Sequence, residues 1–566
     1  MNKSLSLIFG CAFAVLSPSA WALSASTQAA VNNNYLFIEN NVDNEYFITP
    51  SSLDPRISGS NTWVKYGNDQ DSLGYIGIVG WVANTSYYKD MWIDNSPISE
   101  PFRGIRCTTG ANCPASGYIA AELTDQFGFY HTKATGSGIA GGYYGFASLT
   151  DSAYEYFRNM SVGSAETYNL NFCRTTIDYD YAAGQRCKDQ SSGNWYIRPY
   201  TLNKIGHLSL VSTNAFQELW VASDGTPSIT KDSGYCELGV VSREDGVICK
   251  MISYNLNQTS NLTASLRIRM YADSGLLGFT PAAATIKYSG DGQSWTNFSS
   301  TSIYYNVFSN GGEYVYVFLS KTFLKNMVDS GVSITNSQPF TFAFTNSVTP
   351  ESGYYQFTPS LQLNIVPKEY GISIISSDNS TSASGSGTIG ETAPIEMDYT
   401  VTVSGPRQAD SITAQVIGDS TTINNVPYCL FTSAQGGLSV PIPAFLQYNS
   451  ESGGVVQKRN SCSEAAISMR DAQWQQTPWD ANNTDDGSYF ATDLKLLFPM
   501  NDSRSMLTVS GADWEGVVSA SGEIKVTANW VGRHEPLPFG AKMDIGLAFR
   551  ADGVLRTGRL SGVDYL

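Results

Sequence analysis

Three histidines, nine cysteines and fifty acidic residues are the reactive inventory of this 566-residue chain. Cys11 lies in an N-terminal stretch treated below; the other eight fall as the neighbours Cys107/Cys113, Cys173/Cys187, Cys236/Cys249 and Cys429/Cys462. Eight cysteines allow 105 pairings. Three of these neighbour pairs sit at hairpin-like separations and the fourth is isolated far downstream, so four nearest-neighbour disulfides are predicted. Closing the ring from Cys173 to Cys187 would stabilise the fold by about 3 kcal/mol on the chain-entropy model. A metal centre reads poorly, because there is no C-x-x-C and the histidines are only His131, His207 and His534. A hydrolytic triad needs a histidine oriented by a carboxylate beside a nucleophile, and these scattered histidines come with no G-x-S-x-G elbow. P-loop and H-E-x-x-H patterns are missing too. A glycosidase needs two carboxylates roughly 5 to 9 Å apart, which distant acids can supply by chance, so a secreted glycan-degrading enzyme stays as an alternative. The expectation is a protein with no catalytic, cofactor-binding or metal-binding residues and no cofactor.

Recognition chemistry is easier to find. Trp63, Trp81, Trp92, Trp195 and Trp220 offer flat faces for stacking on sugar rings, although the ordinary place for a tryptophan is the core. Tyr87-Tyr88 and Tyr143-Tyr144 are the better receptor-binding candidates, since polar, glycine-rich stretches surround them and recognition residues collect on loops.

The elements that must hold these residues are strands. Aromatic and β-branched residues are abundant, charged residues make up 15%, and Gly, Asn, Ser and Asp punctuate the chain every ten residues or so, as in sandwiches and barrels. Leu266, Ile268 and Met270 alternate with Ser265, Arg267 and Arg269, a strand with one wet face, and Tyr314 to Leu319 is apolar on both parities. Asp151 to Met160 and Lys321 to Val328 read as short helices, the second ending before Gly331. The fold class is all-β.

Lys3, the apolar run Leu5 to Leu16 and the small-x-small site Ala20-Trp21-Ala22 read as a signal peptide over 1–22, with a mature chain from Leu23. No later run approaches the 18 apolar residues of a membrane helix, so a soluble exported protein is expected. Removing one Lys and no acid takes the net charge from −16 to −17, which argues against a nucleic-acid partner. At 100 to 200 residues per domain the chain holds about three or four units. A composition shift after Val366-Pro367-Lys368, into the Ser/Thr/Gly tract from Ser376 to Gly390, puts a boundary near 367 and reads as a mobile loop just inside a strand. Glu396 to Val403, Leu494 to Phe498 and Glu523 to Trp530 read as strands of a smaller sandwich, while 23–366 holds one elaborated domain or two.

The chain resembles the tip adhesins of the E. coli common pilus (EcpD-like), of the alternate chaperone–usher class. The resemblance begins with Phe37-Ile38-Glu39-Asn40-Asn41, Ile48-Thr49-Pro50 and Leu53-Asp54-Pro55-Arg56. It continues through Asp90-Met91-Trp92, Asn95-Ser96-Pro97, Cys187-Lys188-Asp189-Gln190, Ser192-Gly193-Asn194-Trp195-Tyr196 and Cys249-Lys250-Met251. Pro350-Glu351-Ser352-Gly353, Ser373-Ile374-Ile375-Ser376, Thr477-Pro478-Trp479 and Val518-Ser519-Ala520-Ser521-Gly522-Glu523-Ile524 complete it, and all eight mature cysteines fall where the family has them. The resemblance implies an elaborated β-sandwich adhesin region over 23–366 and an incomplete immunoglobulin-like pilin domain over 367–530. It implies transit through the periplasm to the fimbrium tip at the cell surface. The partners implied are a periplasmic chaperone, an outer-membrane usher, a host-cell receptor that is a glycan or a protein, and a major pilin subunit joined by donor-strand exchange. Strand addition of this kind fills an open sheet edge with backbone hydrogen bonds. The short Asn/Ala/Ser-rich stretch 23–34 fits a tip subunit with no donor strand of its own. A structural or initiating subunit without the main receptor-binding role is the runner-up.

The family ends close to Asn529-Trp530, whereas this chain continues through 531–566. There Met543, Ile545, Leu547 and Phe549 alternate with Asp544, Gly546 and Ala548, a strand with one apolar face. The segment is either an unordered extension, a product of altered reading at the gene's end, or a strand that occupies the pilin groove in cis.

Overall fold

The computed structural model describes residues 22–50, 56–62, 65–66, 70–77, 86–108, 113–133, 146–259, 267–298, 305–331, 339–345, 354–531 and 542–555. The signal peptide up to residue 21, Trp63, Trp81, Tyr143, Tyr144 and His534 lie outside the described residues.

Strand dominates, with the elements arranged around three large apolar clusters. Residues alternate sides of a pleated strand, and the Val31–Asn40 strand exploits this on both faces. Tyr35 and Phe37 belong to one cluster, with Met91, Phe129, Tyr154, Phe172, Tyr200 and Leu202. Leu36 and Ile38 belong to a second, with Leu208, Leu210, Met251, Phe342 and Leu363. Its parallel partner, the 18-residue strand Asn194–Val211, spans about 60 Å and passes from the first cluster into the second. That strand then pairs antiparallel with Glu244–Gln258, which is flanked in turn by Tyr314–Ser320.

Short helices form at both places read from the sequence. Asp151–Asn159 is capped by the Thr150 hydroxyl, which accepts from the Ala153 amide at 3.3 Å, and buries Ala153, Tyr154 and Phe157. Lys321–Ser330 starts at Ser320 and stops at Gly331, whose φ of 66° is the left-handed conformation that ends helices. Ile268 and Met270 are buried on Arg267–Ala272, as the alternation requires, and Tyr314–Ser320 is largely covered.

Ala215–Val221 pairs parallel with Leu361–Pro367, and the chain then enters a two-sheet sandwich around the third cluster. One sheet runs Gly371–Ser376, Ile395–Gly405, Asn483–Phe498, Phe445–Asn449, Val455–Arg459. The facing sheet runs Ala383–Thr388, Lys542–Leu555, Gly516–Asn529, Ser411–Gly418, Ile467–Ser468. Trp220 seals the joint between the middle region and this sandwich, its ring 5.4 Å from that of Tyr489. Beside it the buried Glu218 accepts from Trp220 Nε1 at 2.5 Å and from the Ser373 hydroxyl.

One expectation is corrected here. The Ser/Thr/Gly tract is not simply a loop, because Ala383–Thr388 is a strand within it. Its small residues permit close packing: a Cβ added at Gly385 would lie 2.5 Å from Ile395 Cγ2.

Candidate functional sites: an aromatic face and a strand groove

The Tyr88–Ile93 strand lies between Gly128–Lys133 and Ala165–Thr175, both antiparallel to it. Tyr88, Asp90 and Trp92 share one parity and therefore one face. Over that face folds the segment that follows Ala165–Thr175, tied back by the Cys173–Cys187 disulfide. Asp90 anchors it. Its carboxylate accepts from the Cys187 amide at 2.7 Å, from the His131 amide at 2.9 Å and from the Tyr179 hydroxyl. Burial pushes the Asp90 carboxyl above its ordinary range, and those three donors oppose the shift.

At one end of the face the His131 ring stacks on Tyr88 with centroids 4.4 Å apart, and its Nε2 stands 2.8 Å from Asp178 Oδ1. The Tyr88 hydroxyl donates to the other Asp178 oxygen at 2.8 Å. The Tyr88 and His131 hydrogen bonds hold the Asp178 carboxyl below its usual range. A histidine oriented by a carboxylate is half of a hydrolytic triad. The other ring nitrogen, Nδ1, is buried without a hydrogen-bond partner among the described residues, so no nucleophile completes it.

At the other end Trp92, Phe127, Tyr130, Asn169, Arg186 and Lys188 line a pocket of about 450 Å³. The Trp92 and Tyr130 rings stack at 6.4 Å, and Trp195 closes on Trp92 at 5.9 Å. The Arg186 guanidinium sits 4.4 Å from the centre of the Tyr130 ring, and the Lys188 ammonium 5.6 Å from that of Trp92. Cations over aromatic faces are held by the ring quadrupole. Neither cation has a carboxylate ion-pair partner among the described residues. Aromatic walls, the Asn95 and Asn169 amides, two cations and the Asp94 carboxylate, which accepts from Trp92 Nε1 at 3.1 Å, can hold a polar ligand.

Of the receptor candidates read from the sequence, Tyr88 belongs to this face, while Tyr87 precedes the strand with the Arg174 guanidinium 4.8 Å from its ring centre. Both therefore sit at a strand's start rather than in an open loop. Trp220 is core, as the ordinary reading holds, and Trp92 and Trp195 are brought together. The structure contains the disulfides Cys107–Cys113, Cys173–Cys187, Cys236–Cys249 and Cys429–Cys462. Reading by sequence missed Tyr130, Arg186 and Lys188 as pocket residues; the one local signal was that both cations flank the disulfide cysteine Cys187.

The second site is at the opposite end of the chain. Lys542–Leu555 runs antiparallel to Gly516–Asn529 from Lys542↔Asn529 to Leu555↔Gly516, and parallel to Ala383–Thr388 from Phe549↔Ala383 to Val554↔Thr388. It fills the gap between two strands that do not pair with each other. Phe549 and Ala551 are 1% and 0% exposed within the sandwich core, and Arg550 between them is exposed. The Phe549 ring lies 5.6 Å from Phe498 over Gly522, where an added Cβ would come within 2.8 Å of Phe549 Cζ. Within 531–566 the described residues 542–555 are therefore a strand of this sheet.

The family model for the N-terminal domain of the E. coli common pilus adhesin EcpD matches residues 23–208, that for its middle domain residues 212–362, and that for its C-terminal domain residues 369–528. The fimbria adhesins EcpD of Escherichia coli O157:H7 and of strain K12 are each 36% identical to this chain over 526 residues, covering 90% of it and 95% of their own length. The solved structure of CfaE, the adhesive subunit of CFA/I fimbria of enterotoxigenic E. coli, is similar over 60% of this chain and 98% of its own at 9% identity, with a TM-score of 0.22, too slight a likeness to bear on the fold.

Proposed function

Because the chain belongs to the E. coli common pilus adhesin EcpD family, we propose that it is the tip adhesin of a chaperone–usher pilus and attaches the fibre to host cells. In this reading residues 23–366 are the adhesive region and 367–530 the pilin domain, which accepts a donor strand from the next subunit. A periplasmic chaperone and an outer-membrane usher deliver it to the cell surface. The observation that carries the reading is the groove between Ala383–Thr388 and Gly516–Asn529, whose two edges meet only through an added strand.

The receptor is met on the aromatic face that holds Tyr88, Trp92, Tyr130, Arg186 and Lys188, by binding and without catalysis. A pocket of about 450 Å³ with aromatic walls and two cations supports this. The test is binding of the purified full chain to epithelial cells and to a broad glycan array, beside Trp92→Ala and the double variant Arg186→Ala/Lys188→Ala. Saturable binding lost in those variants, with thermal unfolding of the double variant unchanged, supports the reading. A folded protein that binds nothing moves it to an assembly-initiating subunit.

A further inference from the structure

We propose that Lys542–Leu555 is a built-in donor strand that closes the pilin groove from within the same chain, and that the next subunit joins by displacing it. The inference deepens the reading of a strand-accepting tip subunit and rests on it.

The segment lies outside the C-terminal family match, which ends at residue 528, yet of the two strands it pairs with only the last residue, Asn529, lies beyond that match. Ala383–Thr388 has no other strand partner among the described residues, and Gly516–Asn529 has its remaining long edge on Ser411–Gly418. Taking the strand away would therefore expose two sheet edges at once, together with the notch over Gly522 and Phe498 that Phe549 fills. Gly522 lines the notch: an added Cβ would lie 2.4 Å from the Ile417 carbonyl oxygen and 2.8 Å from Phe549 Cζ, so both the neighbouring strand and the ring need a bare backbone there. The groove thus requires a strand with a large apolar residue at the Phe549 position and a small one at the Ala551 position. Met543, Ile545 and Leu547 continue the parity of Phe549 along the sequence.

The tether favours occupancy without making it permanent. Asn529 and Lys542 are register partners, so residues 530–541 join them, more chain than the two residues a tight hairpin needs. A short tether holds its strand at an effective concentration on the order of 1 mM. An incoming strand of equal intrinsic affinity succeeds only at comparable local concentration, as at an assembly site, and free subunits in dilute solution are refused. The strand thus acts as a plug that keeps the pilin domain folded and unreactive until assembly.

The experiment uses the full chain with a protease site placed within 532–541, before and after cleavage, and a fluorescent synthetic peptide of sequence 542–555 as the probe at about 10 µM. Cleavage removes the tether's advantage, so peptide uptake is expected to rise roughly a hundredfold, the ratio of about 1 mM to 10 µM. The same peptide carrying Phe549→Ala is expected to exchange at least about tenfold less, as befits the loss of a buried phenyl group. Uptake that does not rise on cleavage overturns the proposal. If it is then high in both forms, the groove accepts strands but the tail is not its plug; if it is absent from both, the strand-acceptance reading fails as well.

Discussion

Replacing Phe549 by alanine in the intact chain isolates the contribution of one side chain to closure of the pilin groove. The ring is 1% exposed, lies against Phe498 and covers Gly522, so truncation removes both the transfer free energy of a buried phenyl and the contacts of the cavity left behind. Such substitutions cost about 3–5 kcal/mol. Here the loss has a ceiling, because the strand is terminal: once the penalty exceeds the free energy with which the segment docks, the strand leaves and further damage costs nothing. The expected result is a drop of about 3 kcal/mol or more in the urea unfolding of the chaperone-free protein, or a plateau equal to that of a chain truncated after Val531. Amide exchange should quicken in Ala383–Thr388 and Gly516–Asn529 before the rest of the sandwich. Arg550→Ala is the control: its side chain is exposed, and the expected cost is below about 1 kcal/mol. Equal losses for Phe549→Ala and Arg550→Ala, with unchanged exchange, would refute the placement of the strand in the groove.

Glu218 makes stability at the joint between the middle region and the pilin domain pH-dependent. Burial pushes its carboxyl up to about 7 from an ordinary 4.5, so its contribution is full below about 4.5 and is lost as pH rises toward 7. Glu218→Gln, which resembles the protonated form, should remove a fall of about 3 kcal/mol between those limits, measured by thermal unfolding across pH. Asp90→Ala leaves the Tyr179 hydroxyl and the His131 and Cys187 amides without their acceptor, and should cost about 3 kcal/mol and weaken cell binding. Removing the Cys173–Cys187 bridge by a double alanine substitution should also cost about 3 kcal/mol, and its effect should not add to that of Asp90→Ala, since both hold one segment.

Local pattern carried much of the fold. Alternation marked the Met543 to Phe549 strand because a strand with one apolar face must alternate, and Gly331 marked a helix end because the left-handed conformation it permits is local chemistry. Ala383–Thr388 was hidden because ASGSGT has no apolar alternation; it is a strand through its pairing with Lys542–Leu555, and its glycines let it lie close against Ile395 and Met500. The pocket was hidden for another reason. Trp92, Tyr130, Asn169 and Lys188 come from four separate segments, and their meeting depends on strand register and on the Asp90 anchor, neither of which any short window of sequence records. Tyr88 was found by its type, Arg186 only by its position.

The Asn194–Val211 strand also sets how the molecule bears tension. Trp195, at the aromatic face, and Glu218, at the joint with the pilin domain, are linked by a single run of backbone that is in extended strand for nearly its whole length. On the proposed reading, a cell dragged by flow pulls between those two ends. That run is already extended, so the covalent bonds along it take such a load with little further lengthening.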